Sequence, residues 1–475
     1  MERRDWHIIV SLGTHEITGG GISMETKRKD IKYQLEHGYK LQTLIHKVNK
    51  ETLLKQHERQ QKNKATGVDN VTKEQYDESK YENIENLIVR MKSFSYRPQP
   101  VRRTYIPKAN GKLRPLGIPA YEDKLVQGAM ADILNEIYEN IFLECSYGFR
   151  PNRNCHQVVQ YINQTIMTKK VNYILECDIK GFFDNVDHDI LMEFLSKIIG
   201  DKNFLRYIKR FLKAGIMEDM KYYESDKGTP QGGLISPVLA NVYLHYVLDE
   251  WFTKEIIPRL KGEAYLVRYA DDFIIMLQYE EEAKKVYDVL VKRMNKYKLE
   301  LAEDKTRILP FGRFKGTKEN FDFLGFTFYN GKTTTGKYRP VIKTSKKKLK
   351  QKRQNVKKWL HERMHEPIIP TGITLAKKVR GHYTYYGING NHKSLVQFYK
   401  YVKYTWFRVL RKRGQKHKIK YKDFLRIWKY LEIPEPKIYV NIWEEDYMKS
   451  RMREIRTCGS VRGDRLPLTM IEREV

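Results

Sequence analysis
The sequence predicts a multidomain α+β chain, and three observations carry that expectation. At 475 residues the chain exceeds what one core usually holds, so two to four subdomains are expected. Short apolar runs of strand character alternate with segments of helical spacing through its middle. That alternation calls for a sheet core covered by helices. Its basic residues crowd into the last third, which sets a strongly basic end apart from a mixed-charge body.

The elements follow in order. Residues 1–30 are polar, glycine-rich at Gly19–Gly21, and read as a loose tail. Residues 31–60 read as a polar helix with Leu35, Tyr39, Leu41, Leu44, Ile45 and Val48 on one side. A second helix over 81–92 buries Ile84, Leu87, Ile88 and Met91. The proline-rich stretch from Tyr96 to Pro119 should be strand and loop. Residues 122–143 and 189–214 have helical spacing. Between them, Tyr173 to Ile179 is a short buried strand holding Asp178 near its end. Ser236-Pro237 opens a helix, with serine capping the free amides and proline fitting the first turn. Tyr265 to Met276 reads as two strands meeting at a doubly acidic turn, and 281–298 as a further helix. There is no internal repeat of solenoid period.

Lys and Arg number 89 against 58 Asp and Glu, a formal charge of +31. Residues 341–420 hold 23 basic and 2 acidic residues. A solvated face mixes signs, so this imbalance fits a phosphate-facing surface. Nucleic acid is the first candidate polyanion and an anionic membrane surface the second. Aromatics interleave with the charge, among them Trp359, Tyr385, Tyr399 and Trp406. They suit stacking on unpaired bases, and their spacing also fits a helical core stripe. A mean hydropathy of −0.66 and the absence of an apolar run near 18 residues exclude a membrane span. Ile8-Ile9-Val10 is too short for a signal-peptide core, and Met24 is an alternative start. Four cysteines (Cys145, Cys155, Cys177, Cys458) make neither a disulfide framework nor a zinc-finger spacing, which indicates a reducing, cytosolic setting.

Chemistry enters with the carboxylates. Asp271-Asp272 lie between the apolar runs Leu266–Ala270 and Phe273–Met276, and Asp178 follows Tyr173–Leu175. Burying adjacent charges is costly unless cations offset them. Three acids at strand ends suit two Mg²⁺ ions, which take few carboxylates and bind substrate phosphates in their remaining positions. Asp187 reads as a helix cap and Asp69 as a turn residue. His361-Glu362-Arg363-Met364-His365 matches a zinc-protease helix, but Glu366-Pro367 ends it and its surroundings are basic, so no zinc site is expected.

Several boxes then carry a resemblance. Tyr269-Ala270-Asp271-Asp272 resembles the Y-A-D-D box of reverse transcriptases, and Cys177 to Asp184 the other palm motif of that class. Lys108 to Pro119 and Ser146 to Pro151 resemble its two fingers motifs. Gly228 to Leu234, continuing through Ser236-Pro237 to Asn241, resembles its P-Q-G box. Leu301 to Thr306 resembles the motif that follows, and Phe323 to Phe326 the primer-grip box. Gly67-Val68-Asp69 resembles the extra N-terminal box of non-retroviral enzymes. The family combining these boxes in this order is that of group II intron-encoded reverse transcriptases, or maturases. Arg380 to Tyr386 is similar to its thumb signature, so the resemblance runs from about residue 40 to the end.

The resemblance implies a right-hand polymerase: an N-terminal extension and the start of the fingers over 31–95, then fingers and palm, with an antiparallel sheet, over 96–340. An α-helical thumb follows over 341–410 and a small basic DNA-binding module over 411–475; many relatives end in a Cys/His-rich nuclease domain, but with only Cys458 after Cys177 no HNH nuclease domain is expected here. It implies catalysis by Asp178, Asp271 and Asp272, with Ile179 joining them as metal ligands. Lys108, Arg114, Gln231, Gly232 and Lys305 would hold the nucleotide, and Phe183 would bar a ribose 2′-hydroxyl. Phe323, Leu324 and Gly325 would form the primer grip. Arg150, Lys346, Lys347, Lys348, Arg380, Tyr385, Arg411, Lys412 and Arg413 would contact RNA or DNA.

The implied cofactors are two Mg²⁺, with Mn²⁺ as a substitute, and the substrates are dNTPs. The implied partners are group II intron RNA, target DNA and an RNA template with its DNA primer. No membrane is implied, and a homodimer is left open. The implied function is an RNA-directed DNA polymerase and maturase that assists splicing by binding the folded intron. It would copy the intron by target-primed reverse transcription, in a bacterial cytoplasm or nucleoid. A domesticated relative acting in repair, phage defence or CRISPR spacer acquisition is the alternative. A pure RNA chaperone is a third reading, against which the intact acids argue.

Overall fold
The computed structural model describes residues 31–107, 113–229, 232–414 and 418–443. They form the mixed helix-and-sheet structure expected. Helix α1 spans Ile31–Glu36, α2 Lys50–Arg59, α3 Lys73–Glu78 and α4 Lys80–Lys92. The single helix expected over 31–60 is therefore broken. Leu41 leaves it to bridge Ile199, its N–H donating to the Ile198 carbonyl at 2.8 Å. Helix α2 restarts on Asn49, whose side chain accepts from the Thr52 amide. Asp69 takes the turn role expected of it, accepting from the Val71 and Tyr121 amides.

Strands β1 (Val101–Pro107) and β2 (Leu113–Ile118) form an antiparallel pair. Helices α5 (Tyr121–Tyr138) and α6 (Cys155–Thr168) precede β3 (Tyr173–Asp178) and the short α7 (Phe182–Asn185). The helical stretch expected over 189–214 is two helices, α8 (His188–Ile198) and α9 (Lys202–Leu212). Asp201 separates them by capping α9, accepting from the Asn203 and Phe204 amides. Asp187 caps α8 in the same way, as read from the sequence. Strand β4 (Ile216–Glu218) runs parallel to β1 and pairs with β5 (Lys221–Tyr223). In α10 (Ser236–Leu244), Ser236 is the first helical residue and the capping position falls on Ile235. The helix then widens into π turns over His245–Asp249 and Phe252–Ile256.

Strands β6 (Ala264–Tyr269) and β7 (Asp272–Leu277), helix α11 (Glu280–Lys296) and β8 (Arg307–Pro310) complete the middle of the chain. The central sheet has the order β6-β7-β3-β8, every neighbouring pair antiparallel. It is buried on both faces, and its period of two sorts side chains between two cores. Leu175, Cys177, Phe273, Ile275 and Leu277 face a core built with α4, α5, α8, α9 and α10. Ile174, Val267, Ile274, Met276 and Leu309 face a second. That second core takes α6 and the sheet of β9 (Asn320–Phe323), β10 (Phe326–Lys332) and β11 (Tyr338–Thr344). It also takes the helices α12 (Lys346–Glu362), α13 (Ile368–Tyr386) and α14 (His392–Arg411). Helix α15 (Tyr421–Tyr430) sets Phe424 and Trp428 against Trp406 of α14, with ring centroids 5.8 and 6.0 Å apart. The described start of the basic C-terminal stretch is thus joined to the second core. Helix α12 ends at Glu362, so His361 and His365 share no helix face.

Candidate active site
The central sheet delivers the three acids to one place. Asp178 ends β3 and stands directly across from Asp272, the first residue of β7. Like charges opposite one another on a sheet repel. Tyr269 pairs with Asp272, so Ala270 and Asp271 form a two-residue turn between β6 and β7. Ala270 takes a left-handed φ of 57°. Gly148 packs beneath that turn. A Cβ on it would lie 2.2 Å from the Ala270 nitrogen, so only glycine fits. The same loop is stitched to β6 by the Tyr147 amide, which donates to the Arg268 carbonyl at 2.9 Å.

The crowding shows in the electrostatics. Burial, and then the Asp178 charge, hold the Asp271 carboxyl above the ordinary carboxylate range. Asp272 opens toward the channel, yet the protein around it and the Asp271 and Asp178 charges push it up to about 7. Both are groups that gain from a cation. One cation is already drawn in: Lys305 Nζ donates to Asp178 Oδ2 at 2.5 Å, and the bond raises the lysine's own pKa. Among the described residues, no three acids, histidines or cysteines are already gathered as a closed metal-binding group. The donor set nevertheless fits Mg²⁺, which needs only one or two carboxylates beside water and phosphate.

Asp271 and Asp272 line a channel of about 1550 Å³ that runs between the central sheet and helices α12 and α13. Arg114 on β2, Phe183 on α7 and Gly232 line it as well. Phe183 meets Phe149 edge to face, and its carbonyl accepts from the Thr229 amide at 2.7 Å. That bond ties the start of the P-Q-G box to α7. Leu324 and Gly325 form a two-residue hairpin turn, φ 49° and 76°, that also reaches the channel. Tyr385 of α13 lines it while donating its hydroxyl to the Leu324 carbonyl at 2.9 Å. Lys348 lines it from the first turn of α12. Lys108 and Gln231 fall outside the described residues.

Other expected site residues lie elsewhere. Arg150, expected at RNA or DNA, faces inward. Its side chain is 2% exposed and spent on Glu139 and on the Leu143 and Ser146 carbonyls. Phe323 is buried in the second core, so of the three residues expected to form a primer grip only Leu324 and Gly325 face the channel. Arg413 donates to the carbonyls of His365 and Glu366, fastening the end of α14 to the turn after α12. Ile179 is buried and bridges Leu301. Lys346, Lys347, Arg380, Arg411 and Lys412 are exposed outside the channel lining. Sequence reasoning missed Arg268, the buried cation behind the acidic turn. The available signal was one cation, Arg268, in an apolar strand and an acid, Asp249, directly after the apolar run Val247-Leu248 of a helix.

Comparison with known proteins gives this site its class. Residues 106–328 match the family model described as reverse transcriptase (RNA-dependent DNA polymerase). The chain is 35% identical over 281 residues to the group II intron-encoded protein LtrA of Lactococcus lactis subsp. cremoris, covering 55% of this chain and 47% of LtrA. It is 32% identical over 308 residues to protein YkfC of Escherichia coli (strain K12), covering 58% of this chain and 78% of YkfC. It is 41% identical over 180 residues to an uncharacterized 91 kDa protein in the cob intron of Schizosaccharomyces pombe, covering 38% of this chain and 21% of that protein. The chain belongs to the family of group II intron-encoded reverse transcriptases and maturases. It spans about half the length of LtrA. Among the described residues, no helix is long and apolar enough to cross a membrane.

Proposed function
We propose that the chain is an RNA-directed DNA polymerase and maturase of a group II intron, working in a bacterial cytoplasm or nucleoid. The observation that carries this reading is the cross-strand pair Asp178 and Asp272, with Asp271 beside it, at the end of a channel walled by basic helices. We assign β1, β2 and the helices before them to the fingers, the central sheet to the palm, and α12 to α14 to the thumb. The chain from 411 onward is assigned to a DNA-binding module.

Asp178, Asp271 and Asp272, with the Ile179 backbone, would hold two Mg²⁺. Bound there, the ions would lower the pKa of the primer 3′-hydroxyl and neutralise the leaving pyrophosphate. Arg114, with Lys108 by motif match, clamps the triphosphate; guanidinium fits phosphate bidentately and ammonium acts as a point charge. Phe183 closes the space where a ribose 2′-hydroxyl would sit and so selects deoxynucleotides. Gly232 lets the backbone approach the nucleotide closely, and Gln231 is assigned to the nucleotide by motif match alone. Lys305, freed from Asp178, reaches the leaving phosphates. The Leu324-Gly325 turn supports the primer terminus. The exposed cations of α12 to α14 hold the intron RNA, and binding that favours its folded state assists splicing. The same ribonucleoprotein would bind target DNA and copy the intron from a nicked primer.

Primer extension on an RNA template tests the activity. The full chain should add deoxynucleotides in Mg²⁺, and Asp271→Ala should fall to background. Equal extension by both proteins would end the polymerase reading. Sequencing the DNA beside the gene tests the intron assignment, because a mobile intron places a structured ribozyme around the coding region and a domesticated relative does not.

A further inference from the structure
Arg268 is fully buried at 0% exposure in β6, the strand that leads into the acidic turn. A guanidinium carries five N–H donors in a fixed fork, and here all five are used. Nε and Nη2 donate to the two Asp249 oxygens at 2.7 and 2.5 Å. Nη1 donates to the Asn241 side-chain oxygen and to the Ala270 carbonyl, both at 2.9 Å. The remaining Nη2 proton goes to Ser146 Oγ at 2.7 Å. Asn241 extends the bracket by donating to the Gly148 carbonyl at 2.7 Å.

Local backbone irregularity serves this bracket. Eight residues separate Asn241 from Asp249, which in an α-helix leaves them about 80° apart around the axis. The π turn at His245–Asp249 absorbs an extra residue and brings Asp249 back toward the Asn241 face. A buried ion pair is weak evidence for stability, since apolar replacements often fold as well or better. The bonds of Arg268 converge instead on geometry. The Ala270 carbonyl belongs to the peptide immediately before Asp271, and Ala270 holds a left-handed conformation that an alanine seldom adopts. Ser146 and Gly148 belong to the loop packed under the same turn.

We propose that Arg268 is a positioning residue for polymerisation, fixing the Ala270 peptide and through it the aim of Asp271 and Asp272. The assignment rests on the polymerase reading above. Arg268→Lys keeps a cation beside Asp249 but cannot form the fork. Single-nucleotide incorporation by the full chain on a primed RNA template is the measurement. The maximal rate of folded Arg268→Lys should fall about 100-fold, while half-saturating dNTP and template-primer affinity change less than about threefold. A merely structural role would lower the thermal midpoint and leave the folded enzyme's rate intact. That result, or a rate loss tracking the unfolded fraction, overturns the proposal. Should Arg268→Lys not fold, Ser146→Ala decides, because it leaves the Asp249 pair in place. A several-fold slower rate at unchanged half-saturation supports the assignment, and a wild-type rate overturns it. A wild-type chain that extends no primer removes the polymerase reading together with this assignment. Equal extension by wild type and folded Arg268→Lys removes the assignment alone.

Discussion
Asp123 is a buried carboxyl that contributes to the pH response of stability. It sits in the first turn of α5, accepting from the Tyr96 hydroxyl and, at 2.9 Å, from the Gln99 amide. Burial pushes it up to about 7 against the lowering pull of both bonds. Ionising it therefore costs the folded state. The stability belonging to its neutral form is complete below the ordinary value of 3.8 and is lost as pH rises through about 7. A displacement of that size is worth roughly 4 kcal/mol. Asp123→Asn does not titrate. Its denaturant-derived stability relative to wild type should improve by roughly 4 kcal/mol between about pH 4 and about pH 8. A pH-independent difference would show the carboxyl to be unexceptional. Arg150 makes the complementary point for cations: a basic residue inside a recognisable box can be wholly internal, because sequence reports charge and not direction.

The two-residue turn of β6 and β7 depends on what lies beneath it. Gly148→Ala would drive a methyl into the Ala270 backbone, so the turn must shift. Primer extension should fall about 100-fold, while circular dichroism stays near wild type; retained extension would show that the loop gives way instead. Much of this geometry is legible in the sequence. The strands around Asp178 and Asp271-Asp272 announce themselves by apolar runs bounded by acids, and the cap at Asp187 and the turn at Asp69 follow from local chemistry. The break at Asp201 is a local cap on the Asn203 and Phe204 amides, a signal hidden inside an otherwise helical run. The break at Leu41 is not legible, because it depends on Ile198 and Ile199 far along the chain. The same holds for Phe323. Its motif placed it on the grip, yet the hairpin's period of two turns it inward while Leu324 and Gly325 project into the channel. The Arg268 bracket joins three distant stretches, 146–148, 241–249 and 268–270, and no window of the sequence contains it.

Across the whole molecule, a net charge of +31 makes binding sensitive to salt. Lys348 and Lys378 line the channel, whereas Lys357 is exposed outside the channel lining. The logarithm of affinity for a primed RNA template should fall linearly with the logarithm of salt concentration. Lys348→Gln and Lys378→Gln should each reduce the slope by about one, and Lys357→Gln should leave it unchanged. Equal slopes in all three variants would place the phosphates on another surface. The central sheet also constrains how the chain is made. Strand β3 lies between β7 and β8, both about a hundred residues or more downstream. While a ribosome is still short of residue 310, the first acid-bearing strand has emerged with no complete set of neighbours. Nascent chains must keep that bare edge from pairing wrongly. Synthesis that halts before β8 leaves one edge of β3 unpaired, so the sheet that carries the three acids is completed only late in translation.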